Sequence, residues 1–189
     1  MQHTGVTPRT DTRRRVQQIA LELFAEQGYE KTSLREIAER LGVTKAALYY
    51  HFRSKEDIVH SFTDDHYARL DALIDWGRSQ PPGAQTRREI LSRYVSIVLA
   101  GAEVFRFIEQ NKAAMQSMEA GKERFKLFRS RLDALVDLLA GKDAPLRDRV
   151  RTSAAIFATS AACTFASPPD ADQDELHAIA LEMATDLVG

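Results

Sequence analysis

The side chains best suited to chemistry lie between residues 32 and 55, in the segment TSLREIAERLGVTKAALYYHFRSK. Lysines, neighbouring tyrosines and a small alanine occur there together. Cations contact phosphates, while small or planar side chains can approach the edges of bases in a DNA groove. This combination indicates recognition of double-stranded nucleic acid, through Lys45, Ala46, Tyr49, Tyr50 and Lys55.

The rest of the chain shows no pattern typical of an enzyme or a metal protein. It has no nucleophile elbow, no Gly-rich loop that opens a helix and no His/Cys spacing of a zinc site. The one cysteine, Cys163, cannot form an intramolecular disulfide, which favours a reducing cytoplasm. We therefore expect a cytoplasmic protein that is not an enzyme and needs no cofactor and no metal.

Two short helices must position the candidate residues. Apolar residues recur at helical spacing after Ser33, and Glu36 completes a capping box three residues later. Gly42 closes this helix, and Thr44 caps a second one that runs to about residue 50. The turn between them is too tight for antiparallel packing, so the pair is predicted to be a helix-turn-helix.

A helix over residues 11–27 supplies the third side of this small domain, because its apolar residues recur at i, i+3, i+4 and i+7. The expected core is Leu23, Phe24, Ile37, Leu41, Val43, Leu48 and Phe52.

The whole chain is predicted to be all-α, with about nine helices. Its 189 residues are 44% hydrophobic with a net charge of −1, typical of a folded globular protein. Further helices are expected near 54–78, 84–100, 103–118, 121–140, 146–166 and 173–188. No apolar run approaches the length of a membrane span, and no signal peptide is expected.

Three segments near the N-terminus of the chain resemble the N-terminal DNA-binding domain of the TetR family of bacterial transcriptional repressors. They are the helix-one pattern IALELFAEQGYEKTS, the IAERLGV turn and LYYHFRSKEDIV, within residues 12–60. The resemblance implies a flexible basic tail (1–10), a helix-turn-helix domain (11–53), a connecting helix (54–78) and an effector-binding and dimerisation domain (79–189). It also implies the partners, namely double-stranded operator DNA, a small-molecule effector and a second copy.

The resemblance also assigns roles to individual residues. Thr32 and Ser33 would offer hydroxyls and free N–H groups to a phosphate at a helix N-terminus, which attracts anions. Thr44 and Lys45 would begin the recognition helix, Tyr49 and Tyr50 would face a base and a phosphate, and Lys55 would bind a phosphate. Arg35 would be an additional contact.

Two helices near the C-terminus are predicted to form a homodimer. Helix 146–166 is rich in small residues that permit close helix contact, and helix 173–188 has an apolar face wider than one core needs. The alternative is that both faces are internal core.

A set of aromatic residues and methionines is expected either to pack in the core or to line a cavity for a hydrophobic effector. The set comprises Tyr94, Phe105, Phe107, Met115, Met118, Phe125, Phe128 and Phe157. The sequence thus predicts a dimeric repressor whose operator binding is relieved by a small hydrophobic ligand. The alternative is a helical ligand carrier or protein-interaction module without sequence-specific DNA binding.

Overall fold

The computed structural model describes residues 8–111, 121–166, 168 and 170–189. Within these residues the chain forms eight α-helices, one π-helix and no strand, which confirms the all-α prediction. The helices are α1 (Pro8–Gln27), α2 (Leu34–Leu41), α3 (Lys45–His51), α4 (Lys55–Ser79), α5 (Ala84–Gln110), α6 (Gly121–Ala140), α7 (Leu146–Ala161), the π-helix (Ala162–Ala166) and α8 (Gln173–Val188).

The expected helices over 84–100 and 103–118 are wrong as separate elements, because α5 runs without a break from Ala84 to Gln110. Gly101 does not end a helix. It is buried where the ring of His66 lies close, and a Cβ atom at this position would stand 3.0 Å from His66 Nδ1. The glycine therefore permits close packing. The start of α1 at Pro8 also lies within the expected tail.

The chain divides into two compact units, Met1–Asp65 and His66–Gly189, and the boundary falls inside α4. In the first unit, the buried apolar residues come from α1, α2, α3, the start of α4 and the turns between them. They include Val16, Leu23, Phe24, Ile37, Leu48, Phe52 and Ile58. Leu41 and Val43, expected in this core, are partly buried.

The core of the second unit combines residues from α4 through α8. It includes Leu70, Ile90, Leu91, Val95, Leu135, Ile156, Cys163 and Ala180. At its edge Arg131 donates two hydrogen bonds to Asp71, at 2.8 and 2.7 Å, in the bidentate geometry typical of arginine and carboxylate. Within the described part of the chain, no helix is long and apolar enough to cross a membrane.

Candidate nucleic-acid interface

The N-terminus of α2 is fixed by the predicted capping box. The Glu36 N–H donates to Ser33 Oγ at 3.2 Å, and the Ser33 N–H donates to Glu36 Oε2 at 2.7 Å. Hydrogen bonds from Ser33 hold the pKa of Glu36 below its ordinary value. Ser33 is exposed, so this helix end faces solvent with its cap in place.

Gly42 ends α2 and turns the chain toward α3. Its φ of 73° lies in the left-handed region that glycine adopts without steric cost. The next N–H, that of Val43, donates to the Ala38 carbonyl at 3.0 Å. Because Ala38 is small and buried, the chain can turn closely there, and only three residues separate α2 from α3.

Helix α3 has one buried and one exposed side. Thr44 caps it by accepting a hydrogen bond from the Ala47 N–H at 3.2 Å, as predicted. Leu48 points into the domain and is fully buried. The opposite side, here called the α3 face, consists of Lys45, Ala46, Tyr49 and Tyr50, all exposed.

The α3 face combines a cation with two aromatic rings. Lys45 Nζ lies 5.4 Å from the ring centroid of Tyr49, which is 42% exposed. Tyr50 is 69% exposed and its ring meets that of His51 edge-on at 5.3 Å. Since neither tyrosine packs in the core, both are available to a partner. An exposed, capped helix of this composition has the dimensions and chemistry to enter a major groove.

Lys55 is placed differently from a simple surface cation. Its Nζ donates to the Tyr29 carbonyl at 2.7 Å and to the Glu30 carbonyl at 3.4 Å. It also lies 4.3 Å from the Tyr29 ring centroid, and the Tyr29 hydroxyl donates to Glu56 Oε1 at 2.9 Å. Lys55 therefore ties the start of α4 to the turn between α1 and α2.

Two other predicted contacts have partners inside the domain. Thr32 is buried, and its hydroxyl donates to the Gly28 carbonyl at 2.9 Å. Arg35 is exposed and pairs with Glu39, one turn later, at 2.7 Å. The DNA contacts expected of both residues stay predictions.

A polar contact between α1 and α4 was not predicted. Gln17 is buried, and its Nε2 donates to Ser61 Oγ at 2.9 Å and to Asp65 Oδ2 at 2.8 Å. The available signal was a glutamine beside the apolar residues of α1. A buried amide nitrogen that donates two hydrogen bonds to α4 fixes how these helices pack.

The residues expected to line an effector cavity lie in different surroundings. Tyr94 and Phe107 are buried, and the Tyr94 hydroxyl donates to the Ile156 carbonyl at 3.2 Å. Phe105 meets His66 edge-on at 4.7 Å. Phe128 and Phe157 line one cavity of about 250 Å³. Met115 and Met118 lie outside the described residues, as does the side chain of Phe125.

Helices α7 and α8 leave large apolar side chains exposed. This two-helix face consists of Leu146, Val150, Phe157, Phe165, Ile179, Met183 and Leu187. Exposed apolar surface on adjacent helices is typical of an interaction site. The π-helix that follows α7 buries Cys163 and Thr164 while Phe165 stays exposed.

Comparison with known proteins connects this geometry to a family. Residues 18–62 match the family model of bacterial regulatory proteins, tetR family. An HTH-type transcriptional regulator of Staphylococcus aureus (strain USA300) is 29% identical over 120 residues, 64% of this chain. The match spans 60% of the length of that curated relative.

Solved structures share the fold over nearly the whole chain. A bacterial regulatory protein of the tetR family from Rhodococcus RHA1 superposes with a TM-score of 0.69 and 22% identity, covering 97% of this chain and 98% of the other. AibR, solved in complex with isovaleryl coenzyme A and operator DNA, has a TM-score of 0.64 and 18% identity, covering 90% and 96%. At these identities the likeness concerns the fold.

Proposed function

We propose that this chain is a dimeric transcriptional repressor acting in the cytoplasm, because residues 18–62 match the family model of tetR-family regulatory proteins and the fold is that of solved structures from this family. It binds operator DNA and releases it when a small hydrophobic ligand binds. The observation that carries this proposal is the α3 face, which presents Lys45, Ala46, Tyr49 and Tyr50 on a capped helix of a helix-turn-helix.

Within this proposal α3 lies in the major groove. Lys45 and Tyr49 contact base edges, and the small side chain of Ala46 permits close approach. Tyr50, Thr44 and the exposed cap at Ser33 contact phosphates, which set the position on the duplex. Arg35 and Lys55 add positive charge near the backbone, while Thr32 contributes by shaping the turn before α2.

The proposed effector binds in the second unit. AibR was solved with isovaleryl coenzyme A, which supports an effector with an apolar group. The cavity lined by Phe128, Leu132, Val136, Ile156 and Phe157 is of suitable chemistry and accepts a small apolar group. Tyr94 supports this region from the core, where its hydroxyl donates to the Ile156 carbonyl.

The proposed dimer forms through the two-helix face. Burying these apolar side chains against a second copy removes them from water, at about 25 cal/mol per Å² of apolar surface. Two copies would then present two α3 helices to two half-sites of one operator.

Binding of the chain to DNA from its own upstream region tests the proposal. Fluorescence anisotropy compares this duplex with a scrambled duplex of equal length over a series of salt concentrations. We expect the chain to bind the upstream duplex more tightly than the scrambled duplex. Lys45→Ala or Tyr49→Ala should reduce the binding free energy for the upstream duplex by about 1–3 kcal/mol and leave that for the scrambled duplex less affected.

Arg88→Ala is the matched control, because Arg88 is an exposed cation of α5, outside the helix-turn-helix. It should leave both affinities unchanged. Equal affinity of the wild type for the two duplexes, or equal losses on both for Lys45→Ala and Tyr49→Ala, would contradict the assignment of α3 as the reading helix.

A further inference from the structure

Helices α7 and α8 carry opposite charge. Helix α8 has four carboxylates and no Lys or Arg, while α7 has three arginines and one aspartate. Arg149 is already paired with Asp137 at 2.7 Å. Arg147, Arg151, Glu182 and Asp186 are exposed, and within the described part of the chain none of these four forms an ion pair.

These charges follow the borders of the two-helix face. Successive residues of an α-helix are 100° apart, so residues separated by four positions share one side. Arg147 and Arg151 form such a pair beside Leu146 and Val150. Glu182 and Asp186 form another beside Ile179, Met183 and Leu187. Each apolar surface is therefore bordered by one sign of charge.

The two helices pack against each other. Arg151 Nη2 stands 3.8 Å from where a Cβ atom at Gly189 would lie, so the first turns of α7 are beside the end of α8 and the two helices run in opposite directions. A two-fold axis parallel to the helices keeps each helix direction. It therefore sets the basic start of α7 in one copy across from the acidic end of α8 in the other.

We propose that this charge pattern selects a second copy of the chain as the partner of the two-helix face. Arg147 and Arg151 of one copy pair with Glu182 and Asp186 of the other, and the symmetry forms this set of pairs twice. The inference rests on the dimer of the proposed function and adds the residues that choose the partner and the alignment of the helices.

Other alignments of the same face are less favourable. With α8 against α8 of the other copy, carboxylates meet carboxylates. With α7 against α7, the arginines find no acidic partner in the uncharged C-terminal half of that helix. Like charges brought together oppose association, whereas complementary charges favour one partner and one alignment. The charge pattern thus favours association of two identical chains and disfavours a partner that brings like charges against α7 or α8.

A charge exchange tests this proposal. One variant carries Arg147→Glu and Arg151→Glu, and the other carries Glu182→Arg and Asp186→Arg. Each alone should associate about ten- to a hundredfold more weakly than the wild type, since four weakly stabilising exposed pairs become repulsive. Mixed in equal amounts, the two variants should form a heterodimer, because one set of ion pairs keeps its native sign and the other set is restored with reversed sign.

Sedimentation velocity of the separate and mixed chains, one of them fused to a tag that changes its mass, distinguishes the outcomes. Arg88→Glu with Lys142→Glu, at exposed positions outside α7 and α8, is the control and should leave the wild-type dimer intact. Circular dichroism checks that each variant is helical. Should a reversed variant not fold, Arg147→Gln with Arg151→Gln should still weaken the dimer and remove most of its salt dependence.

A wild-type dimer whose charge variants self-associate normally, or do not combine when mixed, would overturn this inference and leave the proposed repressor intact. Unchanged affinity and salt dependence of the glutamine variant would overturn it as well. A wild-type chain that is monomeric at micromolar concentration, on and off DNA, would instead overturn the dimer of the proposed function.

Discussion

Lys55 illustrates how contacts between distant residues set the role of a single side chain. Its charge and position predict a phosphate contact, but its ammonium group also donates to the carbonyls of Tyr29 and Glu30. An ammonium has three donors, so a phosphate can still be reached while the turn is held. The residue therefore has two roles, and measurements of unfolding and of DNA binding on one variant can distinguish them.

Replacing Lys55 by alanine should affect both folding and DNA binding. Loss of its charged hydrogen bonds should lower the free energy of unfolding by about 1–2 kcal/mol, measured by urea denaturation. Binding should weaken equally on all DNA sequences, and the salt slope should fall by about one unit. Unchanged unfolding would show that the contact with Tyr29 is not stabilising. A loss confined to specific DNA would contradict the phosphate contact.

His66 is a buried imidazole whose protonation opposes folding. Burial lowers its pKa to about 4, and the charge of Arg69 acts in the same direction. The ordinary value near 6.5 applies in the unfolded chain, so between these values the unfolded state binds more protons. Stability due to neutral His66 is therefore present above about pH 6.5 and is lost as the pH falls toward 4.

Urea unfolding from pH 7 to pH 4 should reveal this loss, which for such a shift is on the order of 2–3 kcal/mol. In His66→Gln the fall in stability over this range should be smaller by that amount. His51→Gln serves as the control and should retain the wild-type profile. An identical pH profile for His66→Gln and wild type would refute the role given to this burial.

At the scale of the helices, local features were predictable and distant contacts were not. The caps at Ser33 and Thr44 and the turn at Gly42 depend on residues three or four positions apart, which the sequence displays directly. The contacts of Lys55 with Tyr29 and of Gln17 with Asp65 join residues 26 and 48 positions apart, and spacing carries no information about them. The exposed α3 face was predictable because its opposite side must bury Leu48.

Helix α5 was predicted as two helices because glycine weakens a helix by roughly 1 kcal/mol relative to alanine. The reason for Gly101 is its packing against His66, which lies on α4. The π-helix Ala162–Ala166 was not predicted either, since nothing in its composition distinguishes it from a continuation of α7. Packing in three dimensions explains the continuity of α5 at Gly101.

Gly101→Ala should destabilise the protein although alanine favours helix. The new Cβ would stand 3.0 Å from His66 Nδ1 and 3.3 Å from Phe105 Cε2, so a buried ring must move. We expect a loss of about 1–3 kcal/mol, as for other overpacked sites, measured as a lower midpoint of urea unfolding. Ala100→Gly, at the exposed neighbouring position, should cost only the glycine penalty of about 1 kcal/mol. A more stable Gly101→Ala variant would show that the ring contact is not limiting.

For the whole molecule, we propose that one unit reads DNA and that the second unit binds a ligand and a second copy. A two-fold dimer must hold its recognition helices about 34–36 Å apart, or a simple multiple, to occupy two half-sites on one side of the duplex. The charge borders of α7 and α8 would determine which chains can form that pair. The spacing of the half-sites therefore depends both on the α3 face and on the dimer formed through the two-helix face.

Hydroxyl-radical footprinting of the chain on its own upstream DNA tests sequence-specific operator binding through α3. We expect two protected segments related by a two-fold axis, centred about 10–10.5 base pairs or a multiple apart. Lys45→Ala should erase both together, and Arg88→Ala should erase neither. Uniform protection along the duplex, or no protection at concentrations where the chain is dimeric, would contradict sequence-specific operator binding through α3.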